Sequence, residues 1–374
     1  MTFSQDDAYT SVRCLITGSC CETNTPFVLA TSVWVSVFSA IDRPVCYRAE
    51  LADSRTGSVV DRLSRRRRPW FNGAASRQLG MDQVMSNMTN PATEQSRELD
   101  ADERQIAAKY MRIVPWGAVI WAFSNLAIWI ALWPLVLYDI MPLWLGFIIA
   151  SINVSLCYLP SHEAQHSIIA RRGQPLRWLN ELVGHLSVIP LVQPYRVLRH
   201  THMEHHAHTN DAKLDPDYSV HAPGDFAFLL QSIKTRQPAS NTIGAYADAL
   251  QRTGKEHVLI DALVYNLLFL TFLVAMAWSG YALEAALLWW LPRHVGLTYI
   301  QYYLSWAPHH PGNSQGRYRD TRAFKSRLGN LLSLGMQYHI VHHLYPHIPL
   351  SKTPAAYREL KPILQQRGCD LGNL

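Results

Sequence analysis

The chain has 374 residues, 48% of them hydrophobic and only 17% charged, with 12 Trp, 17 Tyr and a net charge of +6. That length suits one large domain or two small ones, and the scarcity of charge leans toward a membrane protein. The positive balance does not point to nucleic acid, because the basic residues flank apolar stretches and read as membrane orientation.

Residues 1–88 differ from the rest. They hold an apolar run from Phe27 to Ile41, short for a membrane span of ~20 residues, and the basic tract Arg65-Arg66-Arg67-Arg68. Arg13 alone precedes the apolar run as a basic residue, which argues against a targeting segment. A basic arm at the membrane surface is one reading. A later start at Met81, Met85 or Met88 is the favoured one, and no function is assigned here. Of the six cysteines, Cys14, Cys20, Cys21 and Cys46 lie in this region. Their spacing makes neither a disulfide framework nor a zinc ribbon, and suits a reducing cytoplasmic face.

Residues 89–374 are expected to form one membrane domain. A polar helix over 89–112 leads to an apolar, Trp-rich span over 114–137. A tight turn at 138–142 returns the chain through a second span over 143–159. Residues 160–261 are polar overall, with two weakly apolar pieces, Leu186 to Leu198 and Ala222 to Ile233, that suit helices lying at the interface. A second hairpin crosses over 262–278, turns at 279–281 and comes back over 283–306. Pro292-Arg293-His294 interrupts this last span. The ionisable pair either faces a cavity or marks a kink with Arg293 paired inside the bundle. Neither turn carries Lys or Arg, whereas the opposite side holds many, so both termini are expected on the cytoplasmic side. The fold class read from this pattern is all-α: an integral, multi-pass membrane protein with four transmembrane helices in two hairpins and a cytoplasmic helical cap.

All 17 histidines fall between His162 and His347. They cluster. His162 and His166 form an i, i+4 pair, and H-x-x-H-H occurs twice, at His202, His205, His206 and at His339, His342, His343. On a helix, residues three and four apart share a face, so each short helix can aim several imidazoles at one point. Neutral imidazole binds Zn, Cu, Fe and Ni. Eight such ligands exceed one tetrahedral zinc, and two metals with open positions fit better. A di-iron pair using O2 is the natural use of a nitrogen-rich site beside a membrane, since acid–base chemistry cannot reach an alkane hydrogen. Two other classes compete. His162-Glu163-Ala164-Gln165-His166 is literally H-E-x-x-H, the motif of zinc proteases, and a metal transporter would also use a His-rich loop, although its ligands belong near the bilayer midplane. Asp211, Asp215 and Asp217, with Glu163 and Glu204, are either acceptors for metal-ligating imidazoles or a solvated acidic surface.

With these motifs in view, the chain from about Val114 onward resembles the membrane-bound fatty acid desaturase superfamily. Its histidine boxes appear as HEAQH (162–166), HMEHH (202–206) and HIVHH (339–343). The segments 205–218, 307–312 and 337–369 look most like the desaturase-like β-carotene hydroxylases. The resemblance implies iron ligands at His162, His166, His202, His205, His206, His339, His342 and His343, and an extra ligand, best matched by His309. It implies two iron ions, O2 as co-substrate and electrons from a separate donor such as ferredoxin or a reductase. The expected substrate is a carotenoid ring, hydroxylated, or alternatively an acyl chain, desaturated. Glu163 stands where Asp is commoner in the first box. Ser305 stands where some members place a water-binding Asn. His185, His200 and His208 are expected just outside the ligand set.

Overall fold

The computed structural model describes residues 91–374 apart from 238 and 239, and no strand occurs among them. The expectations for residues 1–88 lie outside the described residues. Helix α1 (Pro91–Tyr110) precedes α2 (Trp116–Leu137), whose 22 residues span ~33 Å at 1.5 Å each. After a turn with Asp139 at φ +57°, α3 (Leu143–Leu156) runs back and continues, after a break at Cys157, as α4 (Tyr158–Gln165). The helix that carries the second expected span therefore continues past residue 159, to Gln165. One helical rod carries the chain from the apolar layer to the first histidine pair.

Between the hairpins lie α5 (Arg177–Ser187), α6 (Tyr195–His208), α7 (Asp225–Lys234) and α8 (Thr242–Arg252). The expected helix over 186–198 is not formed. Residues 188–194 form turns and an irregular connection, because Pro190 and Pro194 lack the amide a helix needs. Helix α9 (Leu259–Trp278) comes next. The return stroke, 282–306, is one continuous helical run built of α10 (Ala282–Ala285), a π turn (Ala286–Trp290), α11 (Leu291–Ile300) and a second π turn (Gln301–Trp306). Short helices α12 (Asn330–Ser333) and α13 (His339–Leu344) lead to α14 (Thr353–Gln366).

Among the described residues, three helices are long and apolar enough to cross a membrane: Trp116–Leu137, Leu143–Gln165 and Glu256–Trp278. The run over 282–306 is not among them. Its middle holds Pro292, Arg293 and His294, and Arg293 donates from Nε to the Leu191 carbonyl at 2.9 Å. Close packing holds this run to α3. A Cβ placed on Gly296 would lie 3.1 Å from the Val154 backbone, so the two helices meet nearly backbone to backbone. Between α2 and α3, Asn125 and Asn153 each donate to the other's carbonyl at 2.9 Å. This reciprocal pair sets the rotation of the hairpin where apolar side chains alone would allow sliding.

The outer polar part is tied together by Glu103 on α1, which is 1% exposed. Its carboxylate accepts from the hydroxyls of Tyr345 (2.8 Å) and Tyr318 (3.0 Å) and from Arg317 (3.3 Å). Tyr345 immediately follows α13. Glu103→Gln keeps the shape but removes the charge that these donors meet, and should lower unfolding stability by about 1–3 kcal/mol. Tryptophan fluorescence during thermal unfolding of the purified protein measures this, with Glu98→Gln, on the same helix but without such partners, expected to leave the midpoint unchanged.

Candidate metal centre

Four stretches deliver the imidazoles. His162 sits in α4 and His166 terminates it. Helix α6 carries His202, His205 and His206, and α13 carries His339, His342 and His343. His309 lies three residues beyond the second π turn. All nine converge. Ligand atoms of His162, His166, His202 and His342 lie within 4.8 Å of one another, and so do those of His205, His309 and His343. His206 Nε2 is 3.2 Å from His202 Nε2 and 3.1 Å from His342 Nε2, which places it with the first group. The His339 ring lies 5.2 Å from that of His309 and 4.7 Å from that of His343, which places it with the second.

The doublets explain themselves. Neighbouring residues on an α-helix point about 100° apart. His205 and His206 therefore diverge, one toward each group, and His342 and His343 do the same. An H-x-x-H-H helix lying between two centres serves both.

The proton positions can be read from the partners. His205 Nδ1 donates to Asp215 Oδ1 at 2.9 Å, and His309 Nδ1 donates to the Asp320 carbonyl at 3.1 Å. With Nδ1 protonated, each neutral ring presents a lone pair at Nε2. Those two Nε2 atoms face each other at 3.2 Å, a repulsive contact unless a proton or cation stands between them. His166 and His202 meet through Nε2 at 2.8 Å. Neighbouring nitrogens on a metal with bonds of ~2.1 Å lie ~3 to 3.4 Å apart, and the His205–His309, His206–His202 and His206–His342 spacings of 3.2, 3.2 and 3.1 Å fall in that range. Both ring nitrogens of His162 and of His339 are buried without any protein partner, and such orphans are rare in a folded interior. On donor chemistry and spacing, these residues fit two metal ions.

Electrostatics prepare the site for a cation. Burial, and then the neighbouring imidazoles, hold His166, His202, His206, His339, His342 and His343 well below the usual histidine value, and push His309 down to about 3. They stay neutral and nucleophilic at neutral pH. His205 is the exception. Burial pulls it down, but Asp215 outweighs burial and raises it to about 9. Asp215 is itself kept ionised by His205 and by the amides of Asp217 and Asn210.

The acidic residues of the sequence thus separate. Asp215 orients a ring, whereas Asp217 accepts from Tyr246 and Asp211 caps the turn at Lys213 and Leu214. Glu204 lies against Arg252 and His208. Glu163 accepts from the Leu350 amide at 2.8 Å, so the glutamate of the H-E-x-x-H string anchors the segment after the third box. His185 packs its ring on Tyr195, His208 reaches Glu204, and His200 is half-buried. The expected supporting role of these three is not seen, since none bonds to the nine among the described residues. His185 lies on α5, outside the box helices, and Glu204, on the same helix as His208, takes up that ring. Conversely, the Asp320 carbonyl, Asn210 and His347 were missed. Asn210, at φ +65°, donates to the carbonyls of Ser314 and Asp320, and His347 Nδ1 donates to the His166 carbonyl at 3.1 Å. Backbone acceptors leave no signal in side-chain identity.

Without metal, the lowered imidazoles contribute stability that is present above about pH 6.5 and lost as pH falls below it, because only the unfolded chain then takes up protons. His205 has the opposite sign: its contribution is full below about pH 6.5 and lost as pH rises toward 9. Chelator-treated protein should therefore show a stability maximum near neutrality in a melting series across pH. Asp215→Asn should abolish the alkaline decline and weaken metal binding about 10–100-fold. An unchanged alkaline limb would contradict the assignment of that proton to His205.

Residues 138–370 match the family described as fatty acid desaturase. Among curated relatives, the sn-1 oleoyl-lipid 12-desaturase of Anabaena variabilis is 39% identical over 82 residues, 22% of this chain and 21% of that one. The zeaxanthin 4-ketolase of Chlamydomonas reinhardtii is 26% identical over 205 residues, 53% of this chain and 40% of the relative. The beta-carotene 4-ketolase 3 of Haematococcus lacustris is 33% identical over 79 residues, covering 21% and 24%. The matched part is less than half the length of each of these relatives.

Proposed function

The chain belongs to the fatty acid desaturase family, and from that premise we propose an O2-dependent, di-iron membrane oxidoreductase that hydroxylates the β-ionone ring of a carotenoid. It is an enzyme of the oxygenase/desaturase class by its family and relatives. The observation that carries the di-iron reading is the convergence of nine imidazoles, seven of them buried, into two adjacent groups. In this reading His162, His166, His202, His206 and His342 hold one iron, and His205, His309, His339 and His343 the other. Two irons supplied with O2 and two electrons provide an oxidant strong enough to take hydrogen from an unactivated C–H bond. The chain's own residues do the rest. Asp215 and the Asp320 carbonyl fix the tautomers of His205 and His309. Apolar Val154, Val188, Ile340 and Val341, all fully buried, help exclude water from the enclosing core. Electrons come from a separate donor protein, such as ferredoxin or a reductase.

The fold reading completes this. The run over 282–306 serves as the fourth span, its polar middle turned toward the bundle, and residues 89–374 form one membrane domain. The turns at 138–142 and 279–281 carry no Lys or Arg, so the metal centre and both termini face the cytoplasm. Reporter fusions at Ile233 and Leu374 should give a cytoplasmic signal and one at Gly280 the opposite. An external signal at Ile233 would rule the arrangement out.

For the substrate, the support is the likeness of 337–369 to carotenoid enzymes and the alignment of about half the chain with a relative named as a zeaxanthin ketolase. The higher identity to an oleoyl-lipid desaturase, over a shorter stretch, favours a second reading, acyl desaturation. Both outcomes begin with hydrogen abstraction and differ in whether oxygen is inserted or a second hydrogen leaves. Expression in a host that accumulates β-carotene should yield more polar hydroxylated pigment, with about two irons per purified chain, and His342→Ala should abolish both. New unsaturated acyl chains with unchanged pigment would select the second reading, and one zinc without iron in active protein would reject both.

A further inference from the structure

Helix α7 exposes Phe226 (74%), Leu229, Leu230 and Ile233, spaced i, i+3, i+4, i+7 along one face. No described part of the chain covers this stripe. In a membrane protein such a stripe lies on the bilayer surface, which places the chain just beyond α7 at headgroup level. Arg236 stands there, half-buried. Its guanidinium donates to Ser232 Oγ (2.8 Å), Gln301 Oε1 (3.0 Å) and Thr298 Oγ1 (2.9 Å), all neutral. One turn deeper on α11, Arg293 uses only Nε, toward Leu191 O, and rests over the Phe269 ring at 5.8 Å. Its two terminal amino groups meet no protein acceptor among the described residues. Neither arginine has a carboxylate within 4.0 Å there, whereas Arg177, Arg196, Arg252, Arg317 and Arg367 all do. His294, beside Arg293 in the chain, packs on Trp290 and adds no counter-charge.

An arginine at membrane level without an anion is costly, and guanidinium matches phosphate oxygens through paired N–H donors. We propose that Arg236 and Arg293 form a binding site for the phosphate of an anionic membrane lipid, with the α7 stripe seated among its acyl chains. The site is separate from the nine histidines. It rests on the membrane placement proposed above, but not on the metal or on the substrate.

The probe is phosphatidylglycerol against phosphatidylcholine. Full-length metal-loaded protein is exchanged into neutral detergent with each lipid in turn, and retained lipid is read by native mass spectrometry and by the thermal midpoint. The unaltered chain should retain phosphatidylglycerol preferentially and be stabilised by it. The double variant Arg236→Gln, Arg293→Gln should retain at least about tenfold less, the loss expected for one charge-assisted pair, and Arg293→Lys should keep part of the binding. If the double variant does not fold, Arg236→Gln alone is read in the same way. Equal retention by variant and unaltered chain overturns the site. Displacement of the lipid by millimolar inorganic phosphate would reassign it to a free anion and overturns the lipid. Failure of the membrane reading would show separately, as a chain that does not sediment with membranes at all.

Discussion

Two imidazole nitrogens facing each other at 3.2 Å, each ring having already given its proton to an acceptor behind it, need a proton or a metal cation between them. The rest of the centre is built to satisfy that demand. Burial keeps most of the rings uncharged, so they offer lone pairs. The single ring held protonated in the metal-free state, His205, is also the one backed by a carboxylate, which remains as its acceptor once a metal takes the proton's place. Asp215 therefore has two states of use and one geometry.

Such a site demands rigid delivery, because rings from four separate stretches must meet within a few ångströms. The α3–α4 rod brings the first pair directly out of the apolar layer. Close backbone approach of Gly296 to Val154 and the reciprocal Asn125–Asn153 bonds fix how that rod sits against its neighbours. The third box, on a helix of only six residues, has little stability of its own. It is held from outside by Glu103 through Tyr345 and by Glu163 through the Leu350 amide. A glutamate within the first box thus braces the segment after the third, which is a structural use of a residue that motif reading assigns to hydrolysis.

The last helical run joins the two environments. It begins at the far turn, carries a buried arginine bonded to a loop carbonyl, and ends three residues before His309. Its two π turns each insert a residue into the helical ladder and rotate the residues beyond it about the helix axis. Aromatic packing of Tyr302, Trp306 and Phe228 secures the second of these turns against α7, so α7 and the approach to the histidine centre share one aromatic cluster.

The helical class and eight of the nine clustered histidines were legible from the sequence, because apolar length and i, i+3, i+4 spacing are local properties of the chain. The family resemblance supplied His309, which no spacing would have singled out. What the sequence could not decide was which histidines share a centre, since that depends on stretches 36 to 136 residues apart meeting in space. Nor could it choose among five acidic residues near the boxes; helical phase and loop geometry selected Asp215 and turned Glu163 and Glu204 elsewhere. The prolines at 190 and 194 were visible, yet the apolar character of 186–198 outweighed them in the reading, and the backbone obeyed the missing amides instead. Composition reports what a segment would bury, while tertiary structure decides where each donor finds an acceptor.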